Sequence, residues 1–408
     1  MSAGGHPLRE SAGSRSAAPS EAAVPGPARP STPARRLERG AKRWLSRLLA
    51  RVVRPRPATA DAIAALAVRR LLVVRQHNQM GDMVCALPAL RALRRAWPEA
   101  RLTFVAAPLC EDLLRVHPDI DELLVFRKQE MWRPWKLVAF VRRLRRPRPD
   151  LAVVMNTVSF STTSALLAWA SGAGIRAGGS SLLSGSHLSR AVYHLELPAG
   201  PAGVPEVEHN LAPLRVLGIA APFERPHLAP SQAAIARARD FLVRALPGSG
   251  PVVVAHVGAG KLPNVWPAER FATVLQTLRA EYGARVVLSE GPSDAAAVGA
   301  VAARFEGLAR WRQPLGETIG LLACAQLVLS NDTGLAHVAA AVDVPTVVIY
   351  GPTDPQRWQP PGEHVRAIRA ATGRVADVEP AAVADAARAL LAGDRTRAGT
   401  TGFDGSLS

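Results

Sequence analysis

The chain has little cysteine: three residues in 408, Cys85, Cys110 and Cys324, far apart and each flanked by apolar neighbours. They neither pair by number nor sit at metal-ligand spacing, so a disulfide scaffold and a zinc module are set aside. Buried thiols in a reducing compartment are the expectation. No stretch approaches about 18 consecutive uncharged apolar residues, so no bilayer-spanning helix is expected. The opening residues lack the continuous apolar core of a secretory signal, which points to a cytoplasmic protein. Aromatic residues make up only 5% of the chain. With no nucleic-acid-binding motif present, that counts against a nucleic-acid partner despite the basic composition. Neither the G-x-x-x-x-G-K-[ST] loop nor G-x-G-x-x-G occurs. No carboxylate cluster suggests a metal site, and no metal or other cofactor is expected.

What is present is positive charge in particular places. The net charge is +17. Residues 1–57 carry twelve Lys/Arg against three Glu, which is +9, and residues 127–148 carry nine against one, which is +8. These two stretches account for the whole excess, so the basicity is local and directed at an anionic surface. Residues 1–34, rich in Ser, Ala, Pro and Gly, read as a disordered tail. Residues 35–57 are different. Leu37, Ala41, Trp44, Leu45, Leu48, Leu49 and Val52 recur at three- and four-residue steps among arginines and Lys42. That is a basic amphipathic helix suited either to an anionic membrane surface or to docking on the following domain.

From Arg70 onward short apolar runs alternate with amphipathic ones. Strands are expected at 71–74, 101–106, 122–126 and 150–154. A long helix is expected over Met83–Trp97, with others near 109–116, 136–146, 162–170, 209–217 and 232–245. LPGSG at 246–250 breaks the pattern, which restarts with strands at 252–257, 285–289, 327–330 and 346–351. Helices accompany them at 268–282, 293–305, 317–325, 333–341 and 381–393. This alternation implies parallel βαβ units. The chain therefore divides into an α/β domain over 68–245 and a second over 250–395, both Rossmann-like, with a cleft between them and a loose tail at 396–408.

Ligands of open parallel sheets bind beyond the carboxyl ends of the strands, and three loops there carry candidate chemistry. In RQHNQMGDMVCALPAL (75–90), Asp82 opens a helix. It is either a plain helix cap or a general base projecting into the cleft. In HVGAGKLPNVWPAERF (256–271), Gly258 and Gly260 let backbone amides approach an anion, and Lys261 adds charge. In SNDTGLAHVAAAVDVPTVVIYGPTDPQRWQP (330–360), a strand ends in Asp332-Thr333-Gly334 and a small-residue helix begins at once. Its free N–H groups and macrodipole suit a diphosphate, and His337 lies one turn on from Thr333, on the same face.

Taken in order, GDMVCALPALRALRRAWPEARLTFV, HVGAG…WPAERF and SNDTGLAHVAAAVDVPTVVIYGPTDP…W resemble the glycosyltransferase family that contains the lipopolysaccharide heptosyltransferases (glycosyltransferase family 9). The resemblance runs from about Arg70 to about Pro361. It implies a GT-B fold, with an N-terminal acceptor domain, a C-terminal donor domain and a final helix that packs back across them. It also implies inverting, metal-independent transfer of a sugar, a heptose from an ADP-heptose-like donor, to a lipopolysaccharide core or related surface glycolipid. The family's base falls on Asp82. Its Asp-Thr-Gly-x-x-His motif, which holds the donor's diphosphate and sugar, falls on Asp332, Thr333, Gly334 and His337. Gly258, Gly260 and Lys261 complete the donor set.

One position departs from the pattern. The family carries Lys two residues before the Trp-Pro of the second motif, and this chain has Asn264 there, with Lys261 three residues earlier. Either Lys261 replaces that charge or the donor phosphate is held less strongly. Glu290 and Asp294, after the 285–289 strand, either touch the ribose or sugar or simply solvate their loop. In the basic stretch, a helix burying Leu137, Phe140, Val141 and Leu144 leaves Arg142, Arg143, Arg145 and Arg146 outward. They form either a solvated face or, with Trp132 and Trp135, a contact for an anionic glycolipid acceptor at the inner face of the cytoplasmic membrane. Two alternatives stay open: an epimerase or other nucleotide-sugar enzyme on the same fold, and a catalytically weak scaffold of envelope glycan assembly.

Overall fold

The computed structural model describes residues 55–400 apart from 77–78, 116, 156–159, 182–187, 199 and 202, with side chains described through residue 393. All of these belong to one compact unit that begins at Ser46. The expected tail over 1–34 and nearly all of the amphipathic segment over 35–57 lie outside the described residues, as do residues 401–408.

Two parallel six-stranded sheets form the framework. The first comprises β1 (Arg70–Arg75), β2 (Arg101–Ala106), β3 (Glu122–Val125), β4 (Leu151–Val154), β5 (Ile175–Gly179) and β6 (Leu195–Leu197), in the order β3-β2-β1-β4-β5-β6. The second comprises β7 (Val252–His256), β8 (Arg285–Ser289), β9 (Ala309–Trp311), β10 (Leu327–Asn331), β11 (Thr346–Tyr350) and β12 (Val365–Arg369), in the order β12-β11-β10-β7-β8-β9. The topology is the same in both halves. The strand order reverses between β1 and β4 and again between β7 and β10, each a parallel pair. A crevice opens at the carboxyl end of such a reversal, and this is where open α/β sheets bind ligands. All three candidate loops follow strands at or beside these points.

The central strands are apolar on both faces, as helices on either side require. Leu71 and Val73 enter one core of the first sheet, and Leu72 and Val74 enter the other. Four strands were not expected. β5 and β6 carry Arg176, two glycines and Glu196, β9 has only three residues, and β12 alternates arginines with apolar residues. β6, β9 and β12 are sheet edges, where charged and short strands are tolerated because one side is unpaired, whereas β5 is paired on both sides and escapes notice because Arg176 and its glycines interrupt the apolar run.

Three expectations are corrected here. The helix expected over Met83–Trp97 is two helices, Met80–Val84 and Leu87–Ala96. Pro88 stands in the first turn of the second, where its missing N–H costs nothing, and that position forces a restart. The Gln232–Ala245 helix was assigned to the first half but packs against the second. Phe241 meets Trp311 edge to face with ring centroids 4.8 Å apart, and Arg237 pairs with Glu317 at 2.5 Å. A Cβ on Gly320 would stand 2.5 Å from the Ala234 carbonyl carbon. The break at LPGSG is thus a turn within that packed segment. The last helix, Pro380–Thr400, runs past its expected end at 393 into the region expected to be loose. Of its described side chains, Val383, Ala387, Leu390 and Leu391 lie in the second sheet's core.

Among the described residues no helix is long and apolar enough to cross a membrane. Cys85 and Cys110 are buried free thiols, while Cys324 is only half-buried.

Candidate active site

The three loops line one cleft of about 640 Å³. From the first half come Gln79, Met80, Gly81, Asp82 and Leu109. The second half supplies Ala259, Gly260 and Lys261 after β7, Ser289 to Asp294 after β8, Asp332 to Leu335 with His337 after β10, and Thr353 with Trp358 after β11.

Asp82 is the third residue of the Met80–Val84 helix, whose N-cap is Gln79, so it is not the cap of that helix. It is buried and lines the cleft. Behind it sits Arg75 at the end of β1, also buried. The Arg75 guanidinium donates from Nη2 to the Asp82 carbonyl at 2.9 Å, and from Nη1 to the Met155 carbonyl and the Asn210 side-chain oxygen, both at 2.7 Å. Burial lowers the Arg75 pKa, while Asp82 and Glu206 favour its charged form. Asn210 in turn donates to the Glu206 carbonyl at 2.7 Å. The Glu206 carboxylate is fully buried and accepts from Arg357 of the second half at 2.8 and 3.1 Å. A buried polar chain thus joins the support of Asp82 to the loop after β11.

On the facing side the Gly334–Ala341 helix points its N-terminus into the cleft. Thr333 is its N-cap but makes no side-chain cap bond. Its hydroxyl instead lies 3.2 Å from that of Ser330, leaving the helix's first amides without that partner. His337 is fully buried, and burial lowers its pKa to about 4, so its imidazole is neutral. Its Nδ1 lies 3.5 Å from Cys85 Sγ across the cleft base.

The two sides meet through glycine. A Cβ on Gly81 would lie 2.8 Å from His337 Cδ2, and one on Gly334 would lie 2.7 Å from the Met80 Cβ. Both distances are shorter than real side chains tolerate, so neither helix could approach so closely with alanine in either place.

Asn264, at the position of the departure, is buried in the floor of the second half. It donates from Nδ2 to Asp332 Oδ2 at 3.2 Å and to Thr353 Oγ1 at 3.5 Å. Burial raises the Asp332 pKa, with the Thr353 hydroxyl and the Lys261 charge opposing that shift. Lys261 is exposed on the rim, and its charge is felt by Asp332.

Several expected residues have other duties. Gly258 does not line the cleft: a Cβ there would fall 2.0 Å from Asp294 Oδ1, so its glycine makes room for that carboxylate. Asp294 also accepts from the Gly291 amide at 2.8 Å and lies 4.0 Å from His256. Gly260 lines the cleft and faces open space. Trp266 is a core residue that donates to the Val378 carbonyl at 3.0 Å. Arg142, Arg143, Arg145 and Arg146 are exposed, as expected, but at the C-terminal end of the Pro134–Arg145 helix, leading back to the amino edge of the first sheet and away from the cleft. Leu137 is exposed rather than part of the buried stripe, which Phe140 and Leu144 anchor.

Sequence reasoning missed the Arg75–Asn210–Glu206–Arg357 chain. Its members are up to 151 positions apart for a single contact, and only an arginine at a buried strand end hinted at it. It also missed Asn331, which donates to the Val257 and Gly258 carbonyls at 2.9 and 3.2 Å and accepts from the Trp266 amide at 3.1 Å. That one side chain fixes the glycine loop to the end of β10. Among the described residues no three His, Cys, Asp or Glu side chains gather as a metal site.

The model of glycosyltransferase family 9 (heptosyltransferase) matches residues 137–386 of this chain. Lipopolysaccharide heptosyltransferase 2 of Escherichia coli strain K12 is 28% identical over 308 residues, covering 72% of this chain and 86% of the relative. Among solved structures, the glycosyltransferase of family 9 from Veillonella parvula superposes with a TM-score of 0.71 at 22% identity, covering 81% of this chain and 99% of that one. An E. coli heptosyltransferase with ADP-2-deoxy-2-fluoro heptose superposes with a TM-score of 0.62 at 22% identity, covering 80% and 99%.

Proposed function

The chain belongs to glycosyltransferase family 9, the heptosyltransferase family, and from that premise we propose that it transfers a heptose from an ADP-heptose donor to an anionic glycolipid of the lipopolysaccharide type, with inversion and without a metal ion. Transfer of a sugar is what the family does, and membership favours it over the epimerase and scaffold alternatives. The donor and acceptor are read from the relatives: one is a lipopolysaccharide heptosyltransferase, and another has a structure with an ADP-heptose analogue.

The observation that carries the reading is the docking of the Asp82 helix on the N-terminus of the Gly334–Ala341 helix. It brings a carboxylate and a set of anion-binding donors into one cleft. In-line displacement needs one base to take the acceptor hydroxyl's proton, and Asp82 has the chemistry and position for it. The departing nucleoside diphosphate develops negative charge. The amides after Thr333, the positive end of that helix and the Lys261 ammonium would meet it. His337, neutral and buried, offers a ring nitrogen to the sugar or phosphate without bringing a charge. Glu290 and Asp294, which line the same cleft, would accept from ribose hydroxyls. The acceptor reaches the cleft from the first-half side, in peripheral contact with the membrane surface.

The test is direct. Purified protein is incubated with ADP-heptose and a glycolipid acceptor lacking the terminal heptose, and the product's anomeric configuration is read by NMR. Inverted product with stoichiometric ADP release is the expected result. ADP release without product, or a product of retained configuration, contradicts the proposal.

A further inference from the structure

Exposed apolar side chains concentrate at one place on the first half. Among the described residues nine large hydrophobic side chains are exposed, and four of them, Trp132, Trp135, Leu137 and Val138, fall within seven positions. Trp132 is 81% exposed and Trp135 68%. They occupy the turn after β3 and the first turn of the Pro134–Arg145 helix. Burial of a tryptophan is strongly favourable, so two left in solvent side by side mark a contact surface rather than a folding feature.

Three further facts give that surface a direction. The strands are parallel, so the turns after β1, β2 and β3 leave the sheet at one edge. Asp82 follows β1, Leu109 follows β2 and lines the cleft, and Trp132 follows β3. The β2 and β3 turns are tied together where Arg127 Nη2 donates to Glu111 Oε2 at 2.5 Å. Finally, Phe140 packs edge to face on Phe126 with centroids 5.2 Å apart, and Leu144 is buried beside it. That anchoring turns Trp135, Val138 and Arg142 outward at i, i+3 and i+7.

The charge around the tryptophans is cationic. Arg127, Lys128, Arg133 and Lys136 lie around them; Arg127 pairs with Glu111 and Lys136 with Glu130 at 2.8 Å, so the four cations face two carboxylates and the local excess stays positive. The stretch 127–148 carries +8 in all. A second copy of this surface would be repelled by it, and so would the chain's own first 57 residues, which carry +9. The complementary partner is anionic, and side-by-side tryptophans among lysine and arginine suit the headgroup region of a bilayer.

We propose that Trp132 and Trp135, with Arg127, Lys128 and Arg133, seat on an anionic lipid bilayer and hold the mouth of the cleft against it. This rests on the glycolipid-acceptor reading above and deepens it: the seat lies at the cleft edge, not at Arg142–Arg146. Trp135 and Arg146 are separated by eleven residues, roughly 16 Å along the helix at 1.5 Å per residue.

Flotation of the full chain with vesicles of phosphatidylcholine, with and without phosphatidylglycerol, tests the seat. Binding only to the acidic vesicles is expected, with about a tenfold loss in W132S/W135S and a smaller loss in R142S/R146S. Both variants should melt like the parent, because the substituted side chains are exposed. Transfer by the parent to a detergent-dispersed acceptor is measured in parallel and tests the glycosyltransferase reading apart from the seat. That readout separates failure of the seat from failure of the glycosyltransferase reading. The seat is overturned by no binding of the parent to acidic vesicles, by equal binding of W132S/W135S, or by a larger loss in R142S/R146S. A parent dimer that W132S/W135S converts to monomer, with no dependence on lipid charge, would assign the surface to a second copy instead and likewise overturn it.

Discussion

Gly81 faces the ring of His337 so closely that a Cβ would stand 2.8 Å from its Cδ2 and 3.2 Å from its Nε2. The glycine beside the candidate base and the histidine of the candidate donor site therefore set each other's position, though 256 residues apart in the chain. The approach of the two halves is encoded in the motif itself. Gly81→Ala should push the helices apart. Because His337 is buried and cannot swing away, we expect a stability loss of roughly 1–3 kcal/mol and a fall in kcat larger than the change in donor Kd. Melting curves and steady-state kinetics check this. An alanine variant with parental kcat would show that the close approach is not needed for turnover.

Asp82→Asn keeps the shape of the side chain and removes its basicity. Transfer should drop by roughly a hundredfold or more, while ADP binding, measured calorimetrically, stays within about twofold, since the diphosphate donors belong to the other half. Retained transfer would remove Asp82 as the base.

Legibility in the sequence followed physical locality. The apolar central strands β1, β2, β7, β8, β10 and β11 were readable because burial on both faces writes a continuous hydrophobic run. β6, β9 and β12 were not, because a sheet edge does not demand it, and β5, paired on both sides, was hidden by Arg176 and its glycines. The candidate site divides the same way. Asp82, Lys261, Asp332, Thr333, Gly334 and His337 stand in short strand-end motifs and converge on one cleft. Gly258 carried the same glycine signal, but its reason is the Asp294 carboxylate packed against it, which only the fold brings near. The supports of Asp82 left almost no trace, since Glu206 and Arg357 become partners only when the two halves dock.

That pair yields a stability prediction. The Glu206 side chain is 0% exposed and that of Arg357 34%, so removing Arg357 takes the counter-charge from a buried carboxylate, while removing Glu206 leaves a guanidinium that water partly reaches. Arg357→Met should destabilise the fold by about 3 kcal/mol, Glu206→Gln should cost less, and the two together should cost less than the sum of the single changes. A double-mutant cycle in urea measures this. Additive losses would mean that the two side chains do not interact energetically.

His337 gives the acid response a sign. Its folded pKa is lowered to about 4 by burial, against an ordinary value of 6.5. As pH falls below about 6.5 the unfolded chain takes up a proton that the folded one refuses, so stability declines from there and levels off below about 4. The span of the shift corresponds to roughly 3 kcal/mol. His117, His194, His209 and His256 are shifted in the same direction by burial, so the whole-protein slope is steeper than that of one group. His337→Asn should flatten the profile between pH 6.5 and 4 relative to the parent. A profile of unchanged steepness would show that His337 does not stay neutral in the fold.

Asn264 offers the most informative substitution. It holds Asp332 by an amide hydrogen bond of 3.2 Å at a place where the family pattern has lysine, and Lys261 supplies charge from the rim. If the cleft lacks positive charge for the diphosphate, Asn264→Lys should tighten ADP binding by about tenfold, or about 1.4 kcal/mol, at low ionic strength, and the gain should shrink as salt rises. The new ammonium would also oppose the upward shift of the Asp332 pKa, and the negative charge of that carboxylate would offset part of the gain. Lys261→Ala separates these effects. If Lys261 has taken over the charge, its loss weakens ADP binding in the parent, and Asn264→Lys restores that loss in the double variant. If Asn264→Lys weakens ADP binding on its own, the Asn264–Asp332–Thr353 hydrogen-bond cluster is what shapes the site, and the donor is held here by hydrogen bonds and the helix N-terminus rather than by a second cation.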